Sequence, residues 1–511
     1  MQLVQSRDTP PTLRRMLYLL KLHPEITIKS RSVRQQMTRC LTANIRNTLR
    51  RHDERIRVKG QWDAVRVRLP EDATPDTVAA VEDGLPRIPG IHQILATEEV
   101  RFDSLDQAAD RIVPLWSPAI AGRSFRVKAK RRGQHDFTSA DIERHLGSRL
   151  LAATPDARVD LKHPDVVVPV ELNDRRLQVI RARWQGLGGY PLGMQGQALA
   201  LISGGFDSPV AAWKMLRRGV KTHFLFFNLG GPAHEAGVRE VTHHLWARYG
   251  TSHKVKFISV PFEDVVGEIL RTIPDGLMGV VLKRMMVRAA GRVARRAGIP
   301  ALVTGDAIAQ VSSQTLHNLG MIDAASELPI LRPVLTDDKQ DIIDQARILD
   351  TARFAEVMPE YCGVISRRPH NKAAREDIEA AEAGFDFQVL EDALTAAVTT
   401  RVDRLLDDQA TPPPTEVMTV DSPEALASLE APCVIDIRRA DEQEAAPLDL
   451  PEVPLMHIPF YELQDRAPAL PGDRQYLLYC DQGVMSRMQA LHLADRGLHH
   501  FGVYRGTAPA D

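Results

Sequence analysis

Between residues 198 and 350, short apolar runs alternate with longer amphipathic, helix-forming stretches. The apolar runs are ALALIS (198–203), KTHFLFFN (221–228), HKVKFISVP (253–261) and PALVTGD (300–306). Runs of this length and composition are typical of buried strands, and strands that alternate with helices form parallel sheets covered by helices. The pattern therefore predicts a doubly wound parallel α/β sheet.

Three segments lie at the carboxyl ends of these strands: Ser203–Ser208, Phe226–Asn228 and Gly305–Asp306. Ligands of open parallel sheets bind in the crevice beyond the carboxyl ends of the strands. We therefore expect these segments, which are distant in sequence, to converge on one ligand crevice.

The segment LISGGFDSPVAAWK (201–214) reads as a strand, a glycine turn and the start of a helix. In this geometry free backbone N–H groups bind an anion. The segment lacks the lysine of a GxxxxGK[ST] loop and the glycines of a GxGxxG motif, and its glycines alone would also suit an ordinary turn. The full SGGFDS string resembles the PP-loop of enzymes that cleave ATP between the α and β phosphates. In that reading Ser203 and Ser208 hold the pyrophosphate, and Asp207 holds Mg²⁺ against the phosphates.

A basic strand is expected within SFRVKAKRRGQHDF (124–137). Its cations are Arg126, Lys128, Lys130, Arg131 and Arg132. The first three alternate with apolar residues and would share one face of a strand, and the last two would extend the charge at the turn. Two interpretations stay open: an edge strand protected by charge, and a platform for the phosphates of a nucleic acid.

The segment LLYCDQGVMSRMQAL (477–491) carries Cys480 at the end of a buried strand, before a loop and a helix that begins near Ser486. Backbone N–H groups of such a loop stabilise a thiolate. An inert buried cysteine and a phosphatase are the alternatives, although a phosphatase arginine follows after five residues and Arg487 follows after six. CVIDIR (433–438) resembles the Asp-x-Arg strand of rhodaneses. The two segments together predict a rhodanese domain whose Cys480 carries sulfur as a persulfide.

The remaining cysteines and the histidines are less informative. Cys40 and Cys433 lie among apolar positions and are expected in the core, whereas Cys362 lies in the polar, glycine-flanked segment MPEYCGVIS. Sulfur transfer that ends in a disulfide needs a second thiol, so Cys362 is either that thiol or an incidental loop cysteine. His234, His243 and His244 lack a metal-binding spacing and are expected on a helix face near the crevice.

Composition limits the remaining function classes. With 65 Lys+Arg against 66 Asp+Glu the net charge is −1, so any nucleic-acid surface must be local. Four cysteines in 511 residues indicate a reducing compartment and a cytoplasmic protein. No apolar run approaches the ~18 residues of a membrane span, so we expect no membrane association.

On these motifs the chain resembles the tRNA 4-thiouridine synthetase (tRNA sulfurtransferase) family in its long form. The resemblance runs from Met16 to Arg505 and also rests on HPEITIKSRSVR, VKAKRRGQHDFTS, VDLKHPDVVV, FFNLGGPAHE and VTGDAIAQVSSQTL. It implies catalytic roles for Asp207, Lys339, Cys362 and Cys480. It implies ATP contacts at Leu201, Ile202, Ser203, Gly204, Gly205, Ser208, Phe226, Phe227, Lys283, Gly305 and Gln314.

The resemblance also implies an α/β multidomain architecture: α+β N-terminal and THUMP units, a doubly wound PP-loop domain and a C-terminal rhodanese-like α/β domain. The predicted boundaries are an unstructured extension (1–15), a ferredoxin-like domain (16–78), a THUMP RNA-binding domain (79–183), a PP-loop adenylation domain (184–406), a linker (407–424) and a rhodanese domain (425–511). The linker prediction rests on the acidic, proline-rich DDQATPPPTE.

The activity that the resemblance implies is thiolation of uridine at position 8 of tRNA. ATP adenylates O4 of the uridine with Mg²⁺, persulfide sulfur on Cys480 replaces the oxygen, and Cys362 resolves the linkage as a disulfide with Cys480. No permanently bound cofactor is expected. The implied partners are tRNA, a cysteine desulfurase and a sulfur carrier protein of thiazole synthesis, and a homodimer stays open. The alternative is a rhodanese-type sulfur carrier that mainly serves thiazole synthesis.

Overall fold

The computed structural model describes residues 15–133, 136–174, 176–358, 368–407, 417–451, 453–480 and 483–506. Within these ranges the chain forms three sheets, of eight, six and five strands. It divides into two compact units. The first contains the residues up to Gln195 together with Arg217–Gly219 and Thr251–His253, and the second contains the rest of the chain.

The first unit is built on the eight-stranded sheet, in the order β2-β3-β1-β4-β8-β7-β5-β6. Its strands are β1 (Arg15–Leu22), β2 (Arg57–Gly60), β3 (Ala64–Arg68), β4 (Ile91–Arg101), β5 (Ser124–Arg132), β6 (Arg158–Val159), β7 (Val166–Asn173) and β8 (Arg176–Gln185). Its helices are α1 (Pro24–Thr27), α2 (Arg31–Leu49), α3 (Pro75–Gly84), α4 (Leu105–Ile120) and α5 (Ser139–Ala153).

Apolar residues at strand and helix spacing build two cores on this sheet. Tyr18 and Leu20, two apart on β1, pack in one core with Leu41 and Ile45, four apart on α2. The other core gathers residues of β5, β7, α4 and α5, including Phe125 and Leu146. Because β4 pairs with β1 on one side and with β8 on the other, a single sheet spans both cores.

The predicted boundary between residues 78 and 79 falls inside a helix rather than between domains. The helix α3 begins at Pro75, and the Thr74 side chain caps it by accepting the Thr77 N–H. Val81 of α3 is fully buried in the first core. The helix therefore continues past residue 78 because its buried face belongs to the N-terminal core.

The second unit begins with the six-stranded sheet, in the order β13-β12-β9-β10-β11-β14. Its strands are β9 (Gln197–Leu201), β10 (Lys221–Asn228), β11 (Lys256–Pro261), β12 (Leu302–Val303), β13 (Ile330–Leu331) and β14 (Val398–Arg401). Its helices are α6 (Asp207–Arg217), α7 (Gly231–Tyr249), α8 (Glu263–Thr272), α9 (Met278–Ala297), α10 (Leu316–Asp323), α11 (Lys339–Leu349), α12 (Ala352–Ala355), α13 (Arg375–Ala383) and α14 (Gln388–Thr395).

In this sheet β9 lies between β10 and β12, and all of its pairings are parallel except that of β11 with β14. The strand order therefore reverses at β9, which is where open parallel sheets bind their ligands. The predicted doubly wound parallel sheet is confirmed.

The C-terminal part of the second unit is a parallel sheet in the order β15-β19-β18-β16-β17. Its strands are β15 (Thr419–Val420), β16 (Pro432–Asp436), β17 (Leu455–His457), β18 (Gln475–Tyr479) and β19 (Phe501–Tyr504). Its helices are α15 (Pro423–Ala427), α16 (Ala440–Ala445), α17 (Phe460–Arg466) and α18 (Val484–Asp495).

The predicted linker ends too late in the sequence. Residues 408–416 lie outside the described residues, but β15 pairs with β19 and its Val420 is buried. Residues 419–424, assigned to the linker on sequence, therefore belong to the C-terminal sheet and to α15.

Helices of the C-terminal sheet pack against helices of the six-stranded sheet. Within the second unit α18 contacts α7, and α17 contacts α8. Buried residues of these helices, such as Ile269 of α8 and Leu463 of α17, belong to one hydrophobic cluster. Within the described ranges, no helix combines the length and the hydropathy needed to cross a membrane.

Candidate functional site

The loop between β9 and α6 is closed by two serines. The Ser203 N–H donates to Ser208 Oγ at 2.8 Å, and the two hydroxyl oxygens lie 2.9 Å apart. Ser208 is buried in the first turn of α6. Both predicted serines therefore lie at a helix N-terminus, where backbone N–H groups favour an anion.

A methionine side chain packs closely on the glycine at position 204 of the loop. A Cβ at Gly204 would lie 2.6 Å from the Met358 sulfur, and a Cβ at Gly237 of α7 would lie 2.6 Å from the same atom. A side chain at either position would displace Met358. The thioether is therefore held between the loop and α7.

Asp207 and Lys339, predicted as catalytic residues from different parts of the sequence, are in direct contact. Lys339 Nζ, at the start of α11, lies 3.0 Å and 3.1 Å from the two Asp207 carboxylate oxygens. Gln310 Nε2 donates to Asp207 Oδ2 at 3.1 Å. One carboxylate at the loop thus faces a cation and an amide.

Asp306 is the centre of a second, buried network beside this loop. Lys283 Nζ lies 2.7 Å from Asp306 Oδ1, and Thr304 Oγ1 donates to Asp306 Oδ2 at 2.7 Å. Gln314 Nε2 and Arg332 Nε donate to the same carboxylate at 3.2 Å and 3.3 Å. Burial by itself would raise the pKa of Asp306, but Lys283, Thr304 and Arg332 outweigh it and hold that pKa well below its usual range.

Gly305 allows the two networks to approach each other. A Cβ on Gly305 would lie 2.8 Å from the Ser208 nitrogen and 2.9 Å from the Asp207 carbonyl carbon. The segment after β12 therefore touches the first turn of α6 directly. The predicted residues Lys283, Gly305 and Gln314 all lie at this contact.

The other predicted ATP-binding residues are largely parts of the core. Ile202, Phe226 and Phe227 are buried, and Leu201 is half-buried at the end of β9. Phe226 contacts the ring of Phe257, and its backbone lies at the carboxyl end of β10. Their side chains shape the crevice floor, so any contact with a ligand falls mainly to their backbone.

Four members of these networks were not predicted from the sequence: Asp306 as a hub, Thr304, Gln310 and Arg332. Asp306 was identified only as a strand end, although a carboxylate directly after a buried strand is the type of signal that marks a site. Gln310 and Arg332 carry no local signal, because only the fold brings them to Asp207 and Asp306.

Cys480 lies directly after β18, the central strand of the C-terminal sheet. Its sulfur accepts the Ser486 backbone N–H at 3.3 Å and lies 3.4 Å from Ser486 Oγ. Ser486 is fully buried in the first turn of α18, and Cys480 is half-buried. The thiol therefore lies at a helix N-terminus, as predicted from the spacing.

The CVIDIR strand supplies a buried ion pair behind this loop. Arg438 Nη2 lies 2.7 Å from Asp436 Oδ2, and both side chains are buried. The Arg438 guanidinium lies over the ring of Tyr479, 5.0 Å from its centroid, and Tyr479 precedes Cys480. The Asp-x-Arg motif thus supports the end of the strand that carries the thiol.

The helix that follows Cys480, α18, also contacts helices of the six-stranded sheet. His492 of α18 lies 3.0 Å from Glu263 of α8. Burial lowers the pKa of His234 on α7 to about 4, with a smaller contribution from His492. The His234 ring packs edge-on to Phe226, with 4.9 Å between centroids. His234 therefore belongs to the wall between the crevice and α18.

The remaining cysteines occupy different environments. Cys433 is buried in β16, where burial raises the pKa of its thiol. Cys40 is half-buried on α2 and its sulfur donates to the Leu192 carbonyl. Cys362 lies outside the described residues, and so does the predicted disulfide between Cys362 and Cys480.

The basic strand is β5, and its alternation is as predicted. Phe125 and Val127 are buried, while Arg126 donates to the Leu161 carbonyl and Lys130 lies 4.0 Å from Glu171. Lys128 pairs in register with Pro169 of β7.

The turn assigned to the last two cations is not there, because β5 continues to Arg132. Arg131 is therefore an alternating strand residue rather than a turn residue. Its register partner is the buried Leu172, and its guanidinium donates to the Phe137 carbonyl. Arg131 does not share the face of Arg126, Lys128 and Lys130.

Three family models match successive parts of the chain. The ThiI ferredoxin-like domain matches residues 17–94, the THUMP domain matches 99–180, and the thiamine biosynthesis protein (ThiI) matches 193–387. The tRNA sulfurtransferase of Klebsiella pneumoniae (strain 342) is 48% identical over 490 residues, which cover 96% of this chain and 100% of the relative. The chain belongs to the tRNA sulfurtransferase family. The family predicted from the sequence motifs is thereby confirmed.

Other members of the tRNA sulfurtransferase family match over the same extent. The tRNA sulfurtransferase of Escherichia coli O139:H28 (strain E24377A / ETEC) is 46% identical over 490 residues, covering 96% of this chain and 100% of the relative. A solved structure described as a 4-thiouridine synthetase–RNA complex with bound ATP is 26% identical. It has a TM-score of 0.66 and covers 76% of this chain and all of that chain.

Proposed function

We propose that this chain is the ATP-dependent tRNA sulfurtransferase that converts uridine at position 8 of tRNA to 4-thiouridine. The observation that carries the proposal is the contact of Asp207 with Lys339 at the SGGFDS loop, next to the Asp306 network. It places fixed charges of both signs at a helix N-terminus, where a triphosphate is recognised. The full-length similarity to tRNA sulfurtransferases supports the same activity.

ATP is proposed to bind at the carboxyl ends of β9 and β12. The loop N–H groups and the hydroxyls of Ser203 and Ser208 face the β and γ phosphates. The amide oxygen of Gln314 is buried and has no hydrogen-bond partner among the described residues, so it can accept a hydrogen bond from the amino group of an adenine. The 4-thiouridine synthetase of known structure is itself described with bound ATP.

Mg²⁺ is proposed at Asp207. No group of three or more His, Cys, Asp or Glu that could hold a metal lies within the described ranges. Mg²⁺ commonly takes one or two protein carboxylates and completes its shell with phosphate oxygens and water, and a single carboxylate beside a phosphate loop fits that mode. When bound, the ion would neutralise charge on the leaving pyrophosphate.

Adenylation makes the uridine oxygen a leaving group. O4 of the uridine attacks the α phosphorus as the N3 proton is lost to solvent, the bond to the bridging oxygen breaks, and pyrophosphate departs. Lys339 stabilises the charge that develops on the α phosphate, since its ammonium already lies at the loop carboxylate. Lys283 and Arg332 act through Asp306 and hold the second strand end in position.

Sulfur is proposed to reach the uridine from a Cys480 persulfide, loaded by a cysteine desulfurase. The terminal sulfur attacks C4 of the adenylated uridine and AMP leaves. The Cys362 thiolate then attacks the Cys480 sulfur, the S–S bond to the transferred sulfur breaks, and 4-thiouridine is released. A dithiol reductant must reduce the resulting Cys362–Cys480 disulfide before the next cycle.

The position of Met358 supports a role for Cys362 in this step. Met358 is held between the SGGFDS loop and α7, and it precedes Cys362 by four positions in the sequence. Met358, the last described residue before the segment that carries Cys362, is therefore held at the SGGFDS loop. Met358→Ala is expected to slow resolution of the persulfide without slowing AMP formation.

Binding of tRNA is proposed to involve the β5 face of Arg126, Lys128 and Lys130. Double replacement of Lys128 and Lys130 by glutamate should weaken tRNA binding and flatten its dependence on salt, because each lost phosphate contact releases about one counterion fewer. If the dependence of binding on salt does not change, this strand is an edge strand protected by charge and does not contact the tRNA phosphates.

The decisive experiment measures AMP release and 4-thiouridine formation with unmodified tRNA. Asp207→Ala should reduce AMP formation by about a hundredfold or more and leave tRNA binding intact. Asp344→Ala, an exposed carboxylate on α11, is the matched control and should behave as wild type. Substantial AMP formation by Asp207→Ala would refute the role given to this residue.

The second cysteine has its own test. After one turnover without reductant, peptide mass mapping should find Cys362 and Cys480 joined. Cys362→Ser should accept sulfur but fail in repeated turnover. Normal repeated turnover by Cys362→Ser would refute the disulfide relay.

A second function, sulfur supply for thiazole synthesis, is favoured by the description of the family model as a thiamine biosynthesis protein. This branch would need Cys480 but not the adenylation loop, and its acceptor would be a sulfur carrier protein. Nucleoside analysis of tRNA from a deletion strain, with a test for thiazole auxotrophy, separates the two functions. Complementation by Asp207→Ala should restore thiazole supply alone.

A further inference from the structure

A cavity of about 580 Å³ lies in the first unit between α2 and the β2–β3 hairpin. Its floor is a row of residues on α2 at a spacing of four, from Arg34 through two threonines to Arg46. Gly60 closes the opposite side, where a Cβ would lie 2.7 Å from the Thr42 hydroxyl oxygen. The absence of a side chain at Gly60 therefore lets the hairpin approach the helix and form the cavity wall.

The charged side chains of this cavity are all positive. Arg34, Arg39 and Arg46 line it, and no acidic residue does. No carboxylate within the described ranges forms an ion pair with any of the three. Among the described residues, Arg34 donates to the Thr27 carbonyl at 3.3 Å and Arg46 donates to the Val58 carbonyl at 3.5 Å. The Arg34 Nε is buried and has no hydrogen-bond partner in this part of the chain, so the cavity holds positive charge that no described carboxylate balances.

The hairpin tip adds an aromatic surface. The ring of Trp62 lies 4.6 Å from the Arg34 guanidinium carbon, and 52% of the Trp62 surface is exposed. An exposed indole beside unbalanced arginines is the arrangement that binds unpaired nucleotides, because the base stacks on the ring while the phosphate pairs with the cations. A duplex offers no free base face and would use the arginines alone.

We propose that this cavity binds a single-stranded segment of RNA, with a base stacked on Trp62 and its phosphate at Arg34, Arg39 and Arg46. The proposal rests on the proposed tRNA function and adds a contact that the β5 strand face does not supply. It assigns the first unit two modes of RNA contact: phosphates along a strand, and an unpaired nucleotide in the cavity.

The test uses the full-length chain and two fluorescent probes, a single-stranded RNA octamer and a blunt RNA duplex. Trp62→Ala should weaken octamer binding about tenfold, the effect of losing one stacked base, and leave duplex binding within about twofold. Trp62→Phe should retain most of the octamer affinity, since a phenyl ring also stacks. The exposed hairpin position makes loss of folding by these variants unexpected.

Charge is tested by Arg39→Glu against Arg50→Glu, an exposed arginine at the end of α2 outside the cavity. Arg39→Glu should lower octamer affinity and reduce the salt slope by about one, and Arg50→Glu should change neither as much. Equal losses in both variants, or unchanged octamer binding by Trp62→Ala, would overturn the proposal.

Competition experiments distinguish RNA from other anionic ligands that could bind the same cavity. Excess AMP should not displace the octamer, and displacement by AMP would assign the cavity to a free nucleotide instead. An acidic peptide that displaces the octamer without sensitivity to Trp62→Ala would assign the surface to a protein. Asp207→Ala tests the proposed function independently, because it should leave octamer binding unchanged even if thiolation is lost.

Discussion

Asp207 and Cys480 both belong to a strand–loop–helix unit built on an inner parallel strand: Asp207 begins α6 after the loop that follows β9, and Cys480 directly follows β18 ahead of α18. Their surroundings differ. Charged side chains surround the first loop, where Lys339 contacts Asp207 and Lys283 and Arg332 contact Asp306. The Cys480 sulfur has the backbone N–H and hydroxyl of Ser486 as its described partners.

The difference fits the chemistry of the two proposed ligands. A triphosphate carries several charges that need fixed cations around it, and those cations need carboxylates to hold them in place when no ligand is bound. A sulfur atom carries at most one charge, which backbone N–H groups at a helix start can stabilise. Under the proposed function, the same strand–loop–helix plan would serve phosphate chemistry with added side-chain charges and sulfur chemistry mainly with backbone N–H groups.

The largest expected effect separates the two loops completely. Cys480→Ala should abolish sulfur loading and 4-thiouridine formation, while AMP formation on unmodified tRNA continues, because no crevice residue is changed. The readouts are radiolabelled sulfur on the protein and AMP by chromatography. Cys40→Ser, which keeps a hydrogen-bond donor toward Leu192, is the control. Sulfur loading that survives Cys480→Ala would contradict the assignment.

Removal of the hub carboxylate should be the largest effect on stability. Asp306→Asn leaves Lys283 and Arg332 without their shared buried anion, and breaking a buried ion pair in this way costs about 3–5 kcal/mol of unfolding free energy. Urea denaturation followed by intrinsic fluorescence measures it. Asp323→Asn removes the more exposed partner of Arg332 and should cost below about 1 kcal/mol. Similar losses of unfolding free energy in both variants would show that Asp306 is not the main partner of Lys283 and Arg332.

A histidine on β10, the strand next to β9, should make the unfolding free energy depend on pH. His223 Nδ1 on β10 accepts the Lys256 backbone N–H, and burial, with the nearby lysines Lys221 and Lys256, lowers the pKa of His223 to about 4. The unfolded chain therefore binds this proton more readily between pH ~6.5 and 4. The stability contribution is fully present above about pH 6.5 and is lost as the pH falls toward 4.

His223→Asn isolates that contribution, because an amide oxygen can accept the same N–H without titrating. Urea denaturation at pH 7 and pH 5 should give a difference between the two pH values that is smaller in the variant by on the order of 1–2 kcal/mol. An equal difference in both proteins would mean that His223 is not neutral in the folded state.

The smallest effect concerns the hydroxyl beside Cys480. Ser486→Ala retains the backbone N–H and removes one hydrogen-bonding group, worth about 1 kcal/mol. Sulfur loading should therefore slow by about three- to tenfold, and AMP formation should not change. Ser428→Ala, an exposed serine of the same sheet region, is the control. A complete loss of loading in Ser486→Ala would mean that the side chain, not the backbone, supports the sulfur.

Local sequence was sufficient for features that depend on a single strand–loop–helix unit. The SGGFDS loop, the Cys480 loop and the alternation of β5 could be predicted because periodicity, glycines and helix-starting residues act within about ten positions. The predicted end of β5 was two residues too early. Arg131 and Arg132 were assigned to a turn, but pairing with β7 continues through both residues.

Trp62 illustrates what a sequence pattern hides. A single tryptophan between two short strands has no recognisable meaning until the hairpin lies against α2 beside Arg34. The basic strand β5, by contrast, stood out because its cations lie close together in the sequence, within residues 126–132. The RNA contact proposed at the cavity was therefore missed, and the expected RNA surface lacked a base-stacking aromatic.

The sequence by itself determined the parallel sheets, the family, and the loops that carry Asp207 and Cys480, because each of these is written in contiguous residues. The tertiary structure decided which distant charges meet: Lys339 with Asp207, Lys283 and Arg332 with Asp306, and α18 with α7. The physical reason is that ion pairs and interhelical packing depend on distances across the fold, which sequence separation does not encode. Only the folded chain brings residues more than a hundred positions apart within 3 Å of each other, as at Lys339 and Asp207.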